Sequence, residues 1–159
     1  MESGLRHIKL LEGYEFNLIK VSLKASDVLS TVTAYRLMAS KTDYPLHLGV
    51  TEAGPLLRGT VKSSIGIGIL LAEGIGDTIR VSLTASPIEE VKVGYAILKA
   101  LHLRDYGPDI ISCPTCGRCE TNIEEMVREL ELRLMTVKKP ITIAVMGCVV
   151  NGPGEARGA

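Results

Sequence analysis

The chain has no tryptophan and a single phenylalanine, and aromatic residues make up 4% of it. Its core must therefore be packed from Leu, Ile, Val and Ala. It has no excess of either charge, since 18 Lys and Arg face 18 Asp and Glu, and no basic or acidic block. That speaks against the strongly basic footprint of a nucleic-acid binder while leaving local anion sites open. No apolar run reaches the roughly 18 residues of a membrane span, and the longest candidate, Ile65 to Leu71, is broken by glycines. The N-terminus lacks the long apolar core of a secretory signal. The expectation is a cytoplasmic protein with reduced thiols, in which C-x-x-C reads as metal or redox chemistry before it reads as a disulfide.

The most informative residues present are cysteines. Cys113 and Cys116 stand at C-x-x-C spacing, and Cys148 follows with Asn151, Gly152, Pro153, Gly154 and Glu155 close behind. Two thiols at that spacing grip one metal centre from a single turn, and thiolates suit iron–sulfur or zinc. Three thiolates leave one corner of a four-metal cluster for a harder ligand or a substrate.

With 159 residues there is room for one domain and part of another. Asn17–Lys24, Pro45–Thr51 and Asp77–Leu83 read as strands about thirty residues apart. Ser26-Asp27 offers a cap for a helix whose stripe includes Val28, Val32, Tyr35 and Met38. Val61–Glu73 reads as the next helix. Ser86-Pro87, followed by acids, starts a third that runs to about His102. Repeated βα units argue for a parallel sheet covered by helices. An open doubly wound sheet and a (β/α)8 barrel fit this period equally well. In both, ligands bind at the C-terminal strand ends, where Lys24, Glu52, Arg80 and Ser82 fall.

The polar, turn-rich segment Arg104–Pro108 places a boundary between domains 1–106 and 107–159. Beyond it, Asp109–Ser112, Thr121–Leu134 and Pro140–Met146 read as strand, helix and strand, with cysteines at both strand ends.

Spacing alone leaves three readings of the cysteines level. One is a structural zinc site, which usually wants four Cys or His ligands. Another is a ferredoxin-type C-x-x-C-x-x-C run that includes Cys119. The third is a catalytic cluster. The loop after Cys148 favours the last, because glycines and a proline fix a tight turn that can return a carboxylate to the metal. Each strand-end charge has a plain alternative as a solvated side chain. His47 reads as a packed core histidine rather than a catalyst, and Lys62 as a ligand contact or a surface lysine. Gly66 and Gly68 read as helix-packing glycines, since they lack the G-x-G-x-x-G arrangement.

Two long motifs, Ser112-Cys113-Pro114-Thr115-Cys116-Gly117-Arg118 and Met146 through Ala156, resemble the cluster motifs of the 4-hydroxy-3-methylbut-2-enyl diphosphate synthase family. So do Lys20–Asp27, Pro45–Gly54 and Lys62–Leu83, and the resemblance covers nearly the whole chain. It implies the C-terminal half of a (β/α)8 TIM-type barrel followed by part of a small α/β iron–sulfur domain. It implies an oxidoreductase of the non-mevalonate isoprenoid pathway that reductively opens and dehydrates 2-C-methyl-D-erythritol 2,4-cyclodiphosphate. The electrons come from ferredoxin or flavodoxin. By motif, Cys113, Cys116 and Cys148 match the thiolate ligands of a 4Fe-4S cluster, Glu155 its displaceable carboxylate ligand, and Cys119 no ligand. Lys24, Arg80 and Ser82 match diphosphate-binding positions, and Glu52 a carboxylate near the reacting carbons. Lysine supplies a point charge and arginine a fork, both suited to phosphate oxygens.

The resemblance further implies a homodimer in which one subunit's cluster domain closes over the barrel of the other. Family members are much longer. The expectation is a fragment, an incomplete reading frame or one piece of a split enzyme, with open sheet edges and little activity alone. Two other functions remain at this point: an iron–sulfur electron-transfer module, and a zinc-stapled structural or interaction module.

Overall fold

Three helices begin where the sequence offers a side-chain cap. Asp27 accepts the Ser30 N–H at 2.7 Å and opens α2 (Val28–Ala39). Ser86 accepts the Ile88 N–H ahead of Pro87 and opens α4 (Pro87–Ala100). Asn122 accepts the Glu125 N–H at 3.2 Å and opens α5 (Ile123–Leu134). Each cap satisfies a donor that the first turn leaves without a partner. The computed structural model describes residues 1–150 and 152–158. It is an α/β fold of two units, Met1–Arg104 and Asp105–Ala159.

In the first unit, β1 (His47–Leu48) and β2 (Thr78–Ile79) pair in parallel, with His47 opposite Thr78. Parallel bridges join Val21 to Leu46 and Pro55 to Thr84. Helix α3 (Leu56–Ala72) connects β1 to β2, and α2, α3 and α4 pack in sequence order. Tyr35, Met38, Leu48, Ile67 and Leu70 are all under 2% exposed. Each such side chain contributes about 1.5–3 kcal/mol relative to exposure. Glycine is required at Gly66, where a Cβ would stand 2.7 Å from Val50 Cγ2. Gly68 differs from the packing role expected of it, because a Cβ there meets nothing.

The strands are much shorter than the sequence suggests, and side chains account for the difference. Asn17–Lys24 contributes only the Val21 bridge. The Tyr35 hydroxyl accepts the Leu23 N–H at 3.0 Å and donates to the His47 carbonyl. Ser22 Oγ also donates to that carbonyl, at 3.2 Å. Before β1, the Asp77 carboxylate accepts the Leu46 N–H at 2.7 Å. Backbone groups that a regular ladder would use are thus already occupied.

Two helices depart from the sequence reading. Helix α1 (Glu2–Gly13), for which the sequence prompts no assignment, has no side-chain cap and buries only Ile8. It is held in part by the Tyr44 hydroxyl, which donates to Glu12 Oε1 at 3.0 Å. Helix α3 begins at Leu56, directly after Pro55, rather than at Val61.

The second unit is a single βαβ turn. Strands β3 (Asp109–Ser112) and β4 (Thr142–Val145) pair in parallel from Asp109–Thr142 to Ser112–Val145, and α5 packs on both. Its buried apolar residues among those described are Ile123 and Val145. A four-residue helix, α6 (Gly152–Glu155), and a 3₁₀ turn over Ala156–Gly158 follow. Among the described residues no helix is long and apolar enough to cross a membrane.

Candidate functional site

Along the β1 segment, Leu46, Leu48 and Val50 are buried against the helices. Strand alternation therefore sends His47, Gly49 and Thr51 to the opposite face. The neighbouring segments place Ser22 and Lys24, and Thr78, Arg80 and Ser82, on that same face. His47 Nδ1 lies 2.8 Å from Thr78 Oγ1, and Ser22 reaches the His47 carbonyl. This corrects the expectation for His47, which is half-buried on a polar face and hydrogen-bonded rather than packed in the core. Burial first, and then the charges of Lys24, Lys20 and Arg80, hold its imidazole below the ordinary range.

Lys24 and Arg80 are brought together. Burial, followed by the Arg80 guanidinium, pulls the Lys24 ammonium below its ordinary range. Neither residue forms an ion pair with a carboxylate among the described residues. Two neighbouring cations without a counter-charge stabilise any anion placed between them. Gly49, which the sequence reading passes over, makes room for this arrangement. A Cβ there would stand 2.7 Å from the Arg80 carbonyl oxygen and 3.0 Å from Lys24 Cδ. A glycine inside a strand pattern is the signal that could have marked it.

Ser82 is half-buried two residues beyond Arg80. Glu52 is exposed on the loop after β1, and its φ of 53° puts a non-glycine residue in left-handed backbone. Such strain persists only where surrounding structure imposes it, and it concentrates at functional sites. Lys62 is an exposed residue of α3 whose charge is felt at Asp27.

In the second unit the parallel pairing of β3 and β4 brings the segments bearing Cys113 and Cys148 to one sheet end. The Cys113 N–H donates to the Val145 carbonyl at 3.3 Å, and the Gly147 N–H donates to Cys113 Sγ at 3.4 Å. The Glu120 N–H donates to the Gly147 carbonyl at 2.9 Å, tying the turn after Cys116 to the same place. Cys116 is exposed, and the Arg118 backbone N–H, aided by the Arg118 side chain, draws its thiol below the ordinary range. All four cysteines are free. Among the described residues, no three His, Cys, Asp or Glu side chains stand close enough to hold a metal ion. The donor types nonetheless suit a soft metal centre, with the segments bearing Cys113 and Cys148 meeting at one sheet end. The Glu155 carboxylate expected as a further ligand lies outside the described residues.

Two family models match the chain: the GcpE TIM-barrel domain over residues 1–95, and the GcpE protein C-terminal domain over residues 109–159. Among curated proteins, the 4-hydroxy-3-methylbut-2-en-1-yl diphosphate synthase (flavodoxin) of Thermodesulfovibrio yellowstonii is 64% identical over the whole chain. The proteins of the same name from Geobacter sulfurreducens and Lawsonia intracellularis are 59% and 60% identical, also over the whole chain. The match covers 46%, 45% and 44% of these three relatives, so the chain spans a little under half their length.

Proposed function

The chain belongs to the GcpE family, and from that premise we propose that it works as part of a 4-hydroxy-3-methylbut-2-en-1-yl diphosphate synthase. The reaction is reductive ring opening and dehydration of 2-C-methyl-D-erythritol 2,4-cyclodiphosphate. Two electrons and two protons enter, a ring C–O bond breaks, and water leaves. Flavodoxin, which appears in the relatives' names, is the proposed electron donor. The proposed setting is the cytoplasm, and the proposed active form is a homodimer.

The two units take separate tasks. Residues 1–106 form the later part of a (β/α)8 barrel and bind the diphosphate. Lys24 and Arg80 hold its phosphate oxygens through charge-assisted hydrogen bonds, and Ser82 adds a hydroxyl. Glu52 holds a proton near the reacting carbons, presented by its left-handed backbone. Residues 107–159 hold a 4Fe-4S cluster through Cys113, Cys116 and Cys148, with Glu155 as the displaceable fourth ligand. When bound, that cluster supplies the electrons. The Gly147 N–H is directed at Cys113 Sγ, and hydrogen bonds to ligand sulfurs tune cluster potentials.

The observation that supports this reading is the β3–β4 pairing, which brings the segments bearing the free Cys113 and Cys148 to one sheet end. Anaerobic reconstitution with iron and sulfide is the test, followed by metal and sulfide analysis and assay of product from the cyclodiphosphate. Cluster uptake that survives Cys148→Ala unchanged sinks the ligand assignment. A single zinc with no iron or sulfide would turn the second unit into a structural module.

A further inference from the structure

We propose that Cys119 is a positioning residue that pins the Cys148-bearing strand end to the Cys113–Cys116 turn, without itself binding metal. The proposal rests on reading the second unit as the cluster-binding half of a reductive synthase, and it gives a task to the one cysteine that reading leaves over.

Gly147 is gripped on every side. Its N–H donates to Cys113 Sγ at 3.4 Å, and its carbonyl accepts the Glu120 N–H at 2.9 Å. A Cβ on Gly147 would stand 2.6 Å from Cys119 Sγ and 2.4 Å from Ile123 Cδ1. The Cys119 sulfur therefore rests against the space a side chain would fill, with buried Ile123 beside it. The thiol also donates to the Thr121 carbonyl at 3.1 Å, back into its own segment. The Cys119 N–H donates to the Cys116 carbonyl at 3.0 Å, closing the turn that carries Cys116. One residue thus touches the Cys116 turn through its backbone and the Cys148 strand end through its sulfur. Sulfur suits the task because it is large and polarisable, and it fills an irregular gap that an oxygen would leave partly empty. The residue after Gly147 is Cys148, so the grip on Gly147 sets where the third thiol starts.

Packing and ligation make different predictions for Cys119→Val, which replaces the sulfur with an apolar filler unable to bind iron. The experiment compares the wild-type chain with Cys119→Ala, Cys119→Val and Cys113→Ala. Amide hydrogen exchange at Glu120 is read in the metal-free chain, with Met126 in α5 as internal reference. Iron and sulfide content and the electron paramagnetic resonance line shape are read after anaerobic loading and reduction. In Cys119→Ala the Glu120 amide should exchange about tenfold faster while Met126 is unchanged, the size expected for losing one such contact. Cys119→Val should restore the protection, load iron and sulfide to the wild-type level and give the wild-type line shape. Cys119→Ala should load but give a broadened, heterogeneous signal.

Unchanged Glu120 exchange in Cys119→Ala overturns the proposal. So does a Cys119→Val chain as poor in iron as Cys113→Ala, because Cys119 would then be a ligand. If even the wild-type chain takes up no iron or sulfide while the exchange results come out as expected, the positioning role stands and the cluster reading falls.

Discussion

The two units solve the same problem, presenting side chains at the ends of parallel strands, with very different means. The first buries a continuous apolar layer beneath its polar face, from Ile8 through Val32, Met38 and Leu48 to Ile97. Lys24 and Arg80 stand on a platform fixed by packing. The second has Ile123 and Val145 as its buried apolar residues among those described, while Met126, Leu132, Met135, Val149 and Val150 are exposed. Its thiol segments are held by a few backbone hydrogen bonds and the grip on Gly147. With the proposed cluster bound, a unit this small would draw on binding energy as folding energy.

Ways to break that contrast can be ranked by size. Ile123→Ala should be the most damaging, costing about 2–5 kcal/mol as a large-to-small change, in a unit with little else to lean on. Thiol labelling should rise at the half-buried Cys113, Cys119 and Cys148 while α2–α4 keep their amide protection. Gly76→Ala is the counterpart in the first unit. Gly76 has φ of 116°, and a Cβ there would stand 2.4 Å from Leu48 Cδ1. Overpacking and left-handed strain together should cost about 3 kcal/mol, read by urea unfolding, with thiol labelling of the second unit unaffected. Tyr35→Phe should cost about 1–2 kcal/mol. It strands the Leu23 N–H, whereas the His47 carbonyl keeps Ser22 as a donor.

The next change is a pH effect confined to the first unit. The His47 imidazole is depressed below its ordinary 6.5 in the folded chain. The unfolded chain therefore takes up that proton first as pH falls, and stability declines from about pH 6.5 downward through the folded value. His47→Gln, which can still bond Thr78, should flatten this part of the Tm–pH profile. The smallest effect belongs to Ser63, fully buried with no partner for its hydroxyl among the described residues. Ser63→Ala should be neutral or stabilising by up to about 1 kcal/mol, measured by thermal unfolding.

What the sequence revealed follows the range of the interaction. The starts of α2 and α4 were legible because Asp27 and Ser86 act on their own first turns, whereas α5, read from Thr121, begins only after the Asn122 cap. The β3 span was legible for a similar local reason, a short apolar run ending at Cys113. The strands of the first unit were overestimated because Tyr35, Ser22 and Asp77 claim backbone groups from a distance. Helix α1 escaped because it has neither a side-chain cap nor a wide buried face. At the site, Lys24 and Arg80 were singled out by falling at the C-terminal ends of their strands. The contacts of Gly49, Gly147 and Cys119 were not legible, because each involves atoms from another segment.

The left-handed backbone at Glu52 changes what counts as a mild substitution there. Glutamine keeps the shape of the side chain and discards its charge, yet it inherits the same awkward torsion. Asparagine and aspartate visit that torsion more readily, so the shorter residue relaxes the loop while moving the carboxylate. Glycine removes the side chain and frees the loop at once. Charge can be varied alone here, by glutamine, but reach and backbone ease change together. A set of replacements at residue 52 is therefore best treated as a small grid, with loop geometry along one axis and proton chemistry along the other.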